Sequence, residues 1–108
     1  MLRAPINATA AGNNILVAPV ANNRIRVCGY VLVGGGTVTA QFQSSGGTAL
    51  TGAMALAAQT VVSVPQCPNE MTSRPGGWFE SLPGEGLNLN LGGAVSVQGH
   101  FLYLLIPM

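Results

Sequence analysis

The sequence predicts an all-β protein folded as an antiparallel two-sheet β-sandwich, jelly-roll-like, with an extended N-terminal arm. Strand-like segments recur at intervals of roughly 8–12 residues, the spacing found in sandwiches and barrels. The 15 Gly and seven Pro are spread between these segments, where tight turns need them. A length of 108 residues suits one domain. No fixed-length repeat is visible, which argues against a solenoid or a propeller.

The N-terminal segment, residues 1–13, is predicted to be an arm outside a single sandwich domain formed by residues 14–108. It is mostly small or polar, contains Pro5 and shows no hydrophobic periodicity. We therefore expect contact with a neighbouring chain to order it. Asn14 to Val20 is the first predicted strand, and Pro19 marks it as an edge strand. A turn follows at residues 21–23.

Arg24 to Val33 is the strongest strand candidate, and its alternation predicts two faces. One face carries Ile25, Val27, Val31 and Val33, and the other carries Arg24, Arg26, Cys28, Tyr30 and Leu32. Three glycines, residues 34–36, then predict a turn. Thr37 to Ser44 alternates cleanly, with Val38, Ala40 and Phe42 directed inward. These two strands are predicted to pair as a β-hairpin.

The second half of the chain predicts shorter strands between loops. Residues 49–58 read as an irregular connection with room for one helical turn, and residues 65–77 read as a long loop of functional or assembly-specific use. A turn is expected at residues 83–86, and a bulge is expected at Gly99. The predicted strands are Gln59 to Val64, Gly77 to Leu82, Leu87 to Leu91 with its leucines inward, and Ala94 to Pro107.

The surface chemistry is unusual, because only 6% of the residues are charged, none of them is Lys, and 48% are hydrophobic. A typical soluble domain has about 25% charged residues. So few charges predict that much of the surface is buried against other subunits, in a homotrimer in preference to a dimer. A net charge of +1 with dispersed Arg argues against nucleic acid. No apolar run reaches the roughly 20 residues of a membrane span, and no signal peptide is recognised.

The residues that carry catalysis or bind metals are sparse, so neither an enzyme nor a cofactor or metal site is predicted. His100 is the only histidine, and no nucleophile lies in a GxSxG-type setting. No CxxC or HxH pair is present. Cys28 and Cys67 are open to two interpretations, a disulfide or two reduced thiols, and a cytoplasmic site of assembly favours reduced thiols.

The candidate functional residues are therefore interface residues. Arg24 and Arg26 lie two apart on one strand and point the same way. Glu80 or Glu85 across a subunit boundary is a natural partner for them, and a solvated edge is the alternative. Trp78 and Phe79 favour a role as core or interface anchors over a sugar-stacking platform. The full candidate set is Arg3, Pro5, Arg24, Arg26, Arg74, Trp78 and Phe79.

From residue 24 onward, the chain contains six short motifs: Ile25–Tyr30, Val38–Ser44, Leu50–Leu56, Gly77–Glu80, Gly84–Leu89 and Val97–His100. Together they resemble the small capsid decoration (cement) proteins of tailed bacteriophages. The resemblance implies a β-sandwich that sits on the outer surface of the capsid as dimers or trimers and ties neighbouring capsomers together. The major capsid protein is then the second partner, and the virion is the location. The loop at residues 65–76 is longer than the family pattern.

A second resemblance implies a different class of protein. The ending Gly99 to Leu104 is similar to the last strand of tumour-necrosis-factor-like jelly rolls, which are trimeric receptor or glycan binders. Such modules are secreted or carried on fibres. The two alternatives share a fold class and differ in the partner that they predict.

Overall fold

The computed structural model describes residues 2–65 and 78–107, which form nine β-strands in two antiparallel sheets. One sheet has five strands and the other has four, and no helix occurs among the described residues. The strands are β1 (Leu2–Ala8), β2 (Gly12–Val17), β3 (Asn23–Gly34), β4 (Val38–Ser44), β5 (Met54–Leu56), β6 (Val61–Val64), β7 (Phe79–Glu80), β8 (Leu87–Leu91) and β9 (Val97–Pro107).

The strand order is that of a jelly roll, and the predicted fold class is confirmed. The five-stranded sheet runs β1-β9-β3-β6, with the short β7 also paired to β3, and the four-stranded sheet runs β2-β8-β4-β5. Apart from β7, which pairs with β3, the strands pair from the ends of the chain inward: β1 with β9, β2 with β8, β3 with β6 and β4 with β5. Such wrapping gives two Greek keys packed face to face.

The hairpin predicted between β3 and β4 is wrong, because these strands lie in different sheets. The three glycines between them let the chain cross from one sheet to the other. A Cβ on Gly34 would lie 2.8 Å from the carbonyl oxygen of Ala57, and one on Gly35 would lie 2.8 Å from that of Ser96. Glycine is therefore needed in this segment because its backbone lies close to the backbone of two other loops, and not because the segment forms a tight turn between paired strands.

A β-bulge at Cys28 reverses the predicted faces in the second half of β3. Val27 pairs with Tyr103 of β9, but Gly29 pairs with the next residue, Leu102, so Cys28 is the extra residue. Side chains after the bulge change sides: Tyr30 and Leu32 enter the core, whereas Val31 and Val33 face outward, in contrast to the prediction.

The bulge predicted in β9 is absent. Gly99 pairs with Ile6 of β1 on one side and with Leu32 of β3 on the other, and the register continues through it in both ladders. The glycine is required there for a different reason, because a Cβ at this position would lie 1.8 Å from the carbonyl oxygen of Val31.

The predicted N-terminal arm is also wrong, because residues 2–8 form β1 inside the sandwich. This strand pairs with β9 through all seven of its residues. Ile6 and Ala8 are buried, and Ala4 packs against the core. The inward positions 4, 6 and 8 therefore alternate as in any strand, but two of them are alanine, which gives a weak hydrophobic signal.

Most of the remaining elements agree with the sequence. Residues 21–23 turn with Asn22 at a φ of 62°, β2 is an edge strand, and β6, β7 and β8 fall within their predicted ranges. Residues 49–58 contain the short strand β5 and no helical turn. The predicted loop at residues 65–77, with Cys67 and Arg74, lies outside the described residues except for Pro65.

The core between the sheets is aromatic at its centre. The ring centroid of Phe42 lies 4.8 Å from that of Tyr30 and 5.1 Å from that of Phe79. Burial raises the pKa of the Tyr30 hydroxyl above its ordinary value of 10.0, because desolvation disfavours the phenolate. Aliphatic side chains from both sheets surround this cluster, among them Ile6, Ile25, Leu32, Leu87, Leu89, Leu91 and Val97.

Candidate functional site

The outer face of the five-stranded sheet carries six aliphatic side chains, and we call it the outer apolar face. Paired residues of neighbouring strands project to the same side of a sheet. The register places six aliphatic side chains together on this side, and Val33 and Val61 are 37% and 59% exposed. The six are Val31 and Val33 of β3, Val61 of β6, and Leu102, Leu104 and Ile106 of β9.

Two of the predicted interface residues, Arg24 and Arg26, lie at one end of this face. They pair in the ladder with Ile106 and Leu104. Both guanidinium groups contact the carboxylate of Glu80 on β7, with Arg24 Nη1 3.4 Å from Oε2. Glu80 of the same chain is thus a partner of both arginines. An ion pair this exposed contributes at most about 1 kcal/mol of stability, so its main effect is to orient the arginines.

Arg3 and Pro5 lie at the opposite edge of the same face, on β1. Both are exposed, and they pair with Leu102 and His100 of β9. Proline on an edge strand has no N–H to donate, which hinders the addition of another strand at that edge. This edge is thereby a poor site for the addition of a strand.

The two aromatic candidates, Trp78 and Phe79, have different environments in the structure. Trp78 is 49% exposed, and its indole N–H donates to the carbonyl oxygens of Pro65, at 2.9 Å, and Cys28, at 3.1 Å. It therefore holds the end of β6 against the bulge in β3. Phe79 packs against the core beside Phe42, so its ring is not part of the outer apolar face.

Next to Val33, at the other end of the outer apolar face, the surface is concave. An open groove of about 400 Å³ is lined by Gly34, Gly35 and Gly99 together with Ser96 and Gln98. Three of these residues have no side chain, so backbone forms much of the groove wall. The face is consequently flat along β9 and recessed where the chain crosses between sheets.

A buried polar network closes the end of the sandwich near Arg24. Ser44 donates to the carboxylate of Glu85 at 2.8 Å and accepts from the amide of Leu82 at 3.0 Å. Ser81 accepts from the amide of Ile25 at 2.9 Å and donates to the carbonyl oxygen of Glu85, also at 2.9 Å. Glu85 is therefore a structural carboxylate that joins the loop before β8 to the end of β4.

Ser44→Ala is expected to lower the free energy of unfolding by about 1–3 kcal/mol, because it leaves the Leu82 amide without its acceptor in a buried setting. Urea unfolding monitored by circular dichroism measures the change. Ser63→Ala is the matched control, since Ser63 is exposed on the edge strand β6, and it should stay within about 0.5 kcal/mol of the wild type. Equal effects at the two positions would contradict the structural role of the network.

Sequence reasoning missed the aliphatic members of the outer apolar face. The sequence alternation places Val31 and Val33 on the same face as Ile25 and Val27, because it does not reveal the bulge at Cys28. The sequence does indicate the members of the face on β9, because Leu102, Leu104 and Ile106 alternate with Phe101 and so lie on the opposite side of the strand. A strand that is apolar on both sides predicts cover on both sides.

Within residues 2–65 and 78–107, no three His, Cys, Asp or Glu side chains form a group able to hold a metal ion. His100 is exposed on the outer apolar face, between Pro5 and Val31 in the ladders. Cys28 is buried at the bulge.

The described part of the chain also contains no helix long and apolar enough to span a membrane.

Comparison of the chain with protein-family models, with curated proteins and with solved structures finds no match. The candidate function is therefore taken from the chain's own residues and from the two sequence resemblances.

Proposed function

We propose that this protein is a virion structural protein, a decoration protein that binds the outer surface of a phage head and stabilises contacts between capsomers. The observation that carries the proposal is the outer apolar face. Contiguous apolar surfaces on soluble proteins mark sites of association. Here Val33 pairs with Val61, Val31 is a diagonal neighbour of Leu102, and His100 and Gln98 lie opposite Val31 and Val33 on β9. None of the described elements covers these side chains.

The charges at the border of the outer apolar face support the same proposal. Arg3, Arg24 and Arg26 pair with Leu102, Ile106 and Leu104 of β9, and Glu80 contacts both Arg24 and Arg26. An apolar region with polar and charged groups beside it is the usual composition of a protein interface. We expect the shell surface to present a matching apolar region with polar groups at its border.

Stabilisation of a shell follows from binding linkage and needs no catalysis. A subunit that binds the assembled shell, and does not bind separated capsomers, adds its binding free energy to the stability of the shell. Many copies acting together make modest individual contacts effective. The homotrimer expected from the low charge stays a prediction, and sedimentation velocity of the isolated chain measures it.

Val61→Glu is expected to weaken binding of the chain to purified particles by at least about tenfold, because it places an unpaired carboxylate in an apolar contact. Ile15→Glu is the matched control, since Ile15 is 73% exposed on the outer face of the other sheet. Co-sedimentation of each variant with particles stripped of the protein measures the affinity. The temperature of genome release should rise with wild type and Ile15→Glu, and not with Val61→Glu.

Two results would overturn the proposal. One is the absence of the chain from purified virions by mass spectrometry. The other is equal binding of the Val61→Glu and Ile15→Glu variants, which would remove the outer apolar face as the docking surface.

A further inference from the structure

The outer face of the four-stranded sheet has a chemistry opposite to that of the outer apolar face, and we call it the amide face. Two rows of residues cross the strands β2, β8 and β4. Asn13, Asn90 and Gln41 form the first row, and Ile15, Asn88 and Gln43 form the second. Five of the six are carboxamides. Neighbouring strands are about 4.8 Å apart, so the amides form a flat and closely spaced grid.

Hydrogen bonds between the side chains hold this grid in one orientation. Asn90 Nδ2 donates to Asn13 Oδ1 at 2.8 Å, and Gln43 Nε2 donates to Gln41 Oε1 at 2.7 Å. Gln41 Nε2 donates to the carbonyl oxygen of Thr51 at 3.0 Å. A carboxamide has two N–H donors and two acceptor lone pairs, so each of these groups retains capacity for a ligand.

Asn88, at the centre of the second row, is buried and has an unpaired side-chain acceptor. The residue is only 4% exposed, and its Oδ1 has no hydrogen-bond partner among the described residues. A buried acceptor without a donor destabilises the free protein. Sites that keep such a group at a cost in stability are characteristic of binding surfaces, where the ligand provides the missing donor.

The chemistry of the face selects one class of ligand. None of the described charged residues lies on its strands, so the ligand is neutral. Hydroxyl groups donate and accept, as carboxamides do, and a flat grid suits an extended chain of them. Ile15, 73% exposed beside Asn88, offers an apolar contact for the C–H side of a sugar ring. A peptide strand, in contrast, binds at a sheet edge through its backbone.

We propose that the amide face binds a neutral oligosaccharide. The ligand lies across β2, β8 and β4, with its hydroxyls on the carboxamides and one ring against Ile15. A rotamer change of Ile15, which pairs with Asn88 in the ladder, opens Asn88 Oδ1 to a ligand hydroxyl. The inference does not depend on the proposed function, because the isolated chain carries the whole face. If both hold, the face directed away from the capsid shell attaches the particle to a polysaccharide.

The test is nuclear magnetic resonance of the ¹⁵N-labelled chain, titrated with cellohexaose, mannohexaose and maltohexaose. At least one sugar should shift the side-chain amide signals of Asn13, Asn90 and Gln41 saturably, with a Kd of about 1 mM. A neutral Gly-Ser peptide of similar length is the comparison probe. Saturable shifts with the peptide alone, or no shift with any sugar, would overturn the proposal.

Two variants separate binding from a merely structural role. Asn90→Ala should weaken sugar binding by about tenfold, whereas Gln98→Ala, an exposed carboxamide on the outer apolar face, should leave it unchanged. Asn88→Leu should raise the melting temperature and weaken sugar binding, because it removes the unpaired acceptor. A lower melting temperature of Asn88→Leu, or unchanged binding by Asn90→Ala, would contradict the inference.

Discussion

Replacing Gly99 by alanine is expected to prevent the protein from folding. Gly99 has a φ of +151°, which side chains rarely adopt, and an added Cβ would lie 1.8 Å from the carbonyl oxygen of Val31 and 2.8 Å from its carbonyl carbon. Those atoms belong to the neighbouring strand β3. Because β9 is paired on its other side with β1, it cannot move away without breaking a second ladder. The expected cost of about 5 kcal/mol or more is comparable with the whole stability of a small domain.

The amide proton spectrum and the urea unfolding curve of Gly99→Ala measure this expectation. Gly93→Ala is the matched control, because a Cβ at Gly93 meets no atom within 4 Å and Gly93 does not have a positive φ. The control should retain a dispersed spectrum and an unfolding midpoint close to that of the wild type. A folded Gly99→Ala protein of near wild-type stability would show that the contact between β9 and β3 is looser than described.

Phe42→Ala is expected to have the second largest effect, a loss of about 3–5 kcal/mol in the free energy of unfolding. Phe42 is fully buried and contacts the rings of Tyr30 and Phe79. It thereby joins β4 of one sheet to β3 and β7 of the other. Removal of the ring leaves a cavity between the sheets that two antiparallel ladders cannot close by small shifts.

Guanidinium chloride unfolding measures the loss for Phe42→Ala, and Phe42→Leu provides a graded comparison. Leucine keeps much of the apolar volume, so its loss should be clearly smaller than that of alanine. A similar small effect for both variants, below about 1 kcal/mol, would place the centre of the core elsewhere.

The two outer faces of the sandwich differ because the charged residues that the structure describes are distributed unevenly. Arg3, Arg24, Arg26 and Glu80 are all on the side of the five-stranded sheet, and Glu85 is held in the buried network. The outer face of the four-stranded sheet carries uncharged polar groups, which are mainly carboxamides. The two faces therefore differ in chemistry.

The candidate site was partly predictable. Arg3, Pro5, Arg24 and Arg26 stood out because charges and edge prolines are rare and locally readable, and the structure brings all four to one face. The aliphatic side chains between them were not assigned to that face. The direction of Val31 and Val33 depends on the bulge at Cys28, because one extra residue reverses every side chain that follows it in β3.

The sequence by itself determined the fold class and most of the strands. Leu87–Leu91 and Val38–Ser44 show why, since their alternation is a local property of the chain. Only the tertiary structure decided that β3 and β4 belong to different sheets and that residues 2–8 form an edge strand rather than an arm. The partners of β1 and β3 on β9 are about 60 to 100 residues away along the chain. Such pairings depend on backbone hydrogen bonds and burial between distant segments, which no local pattern encodes.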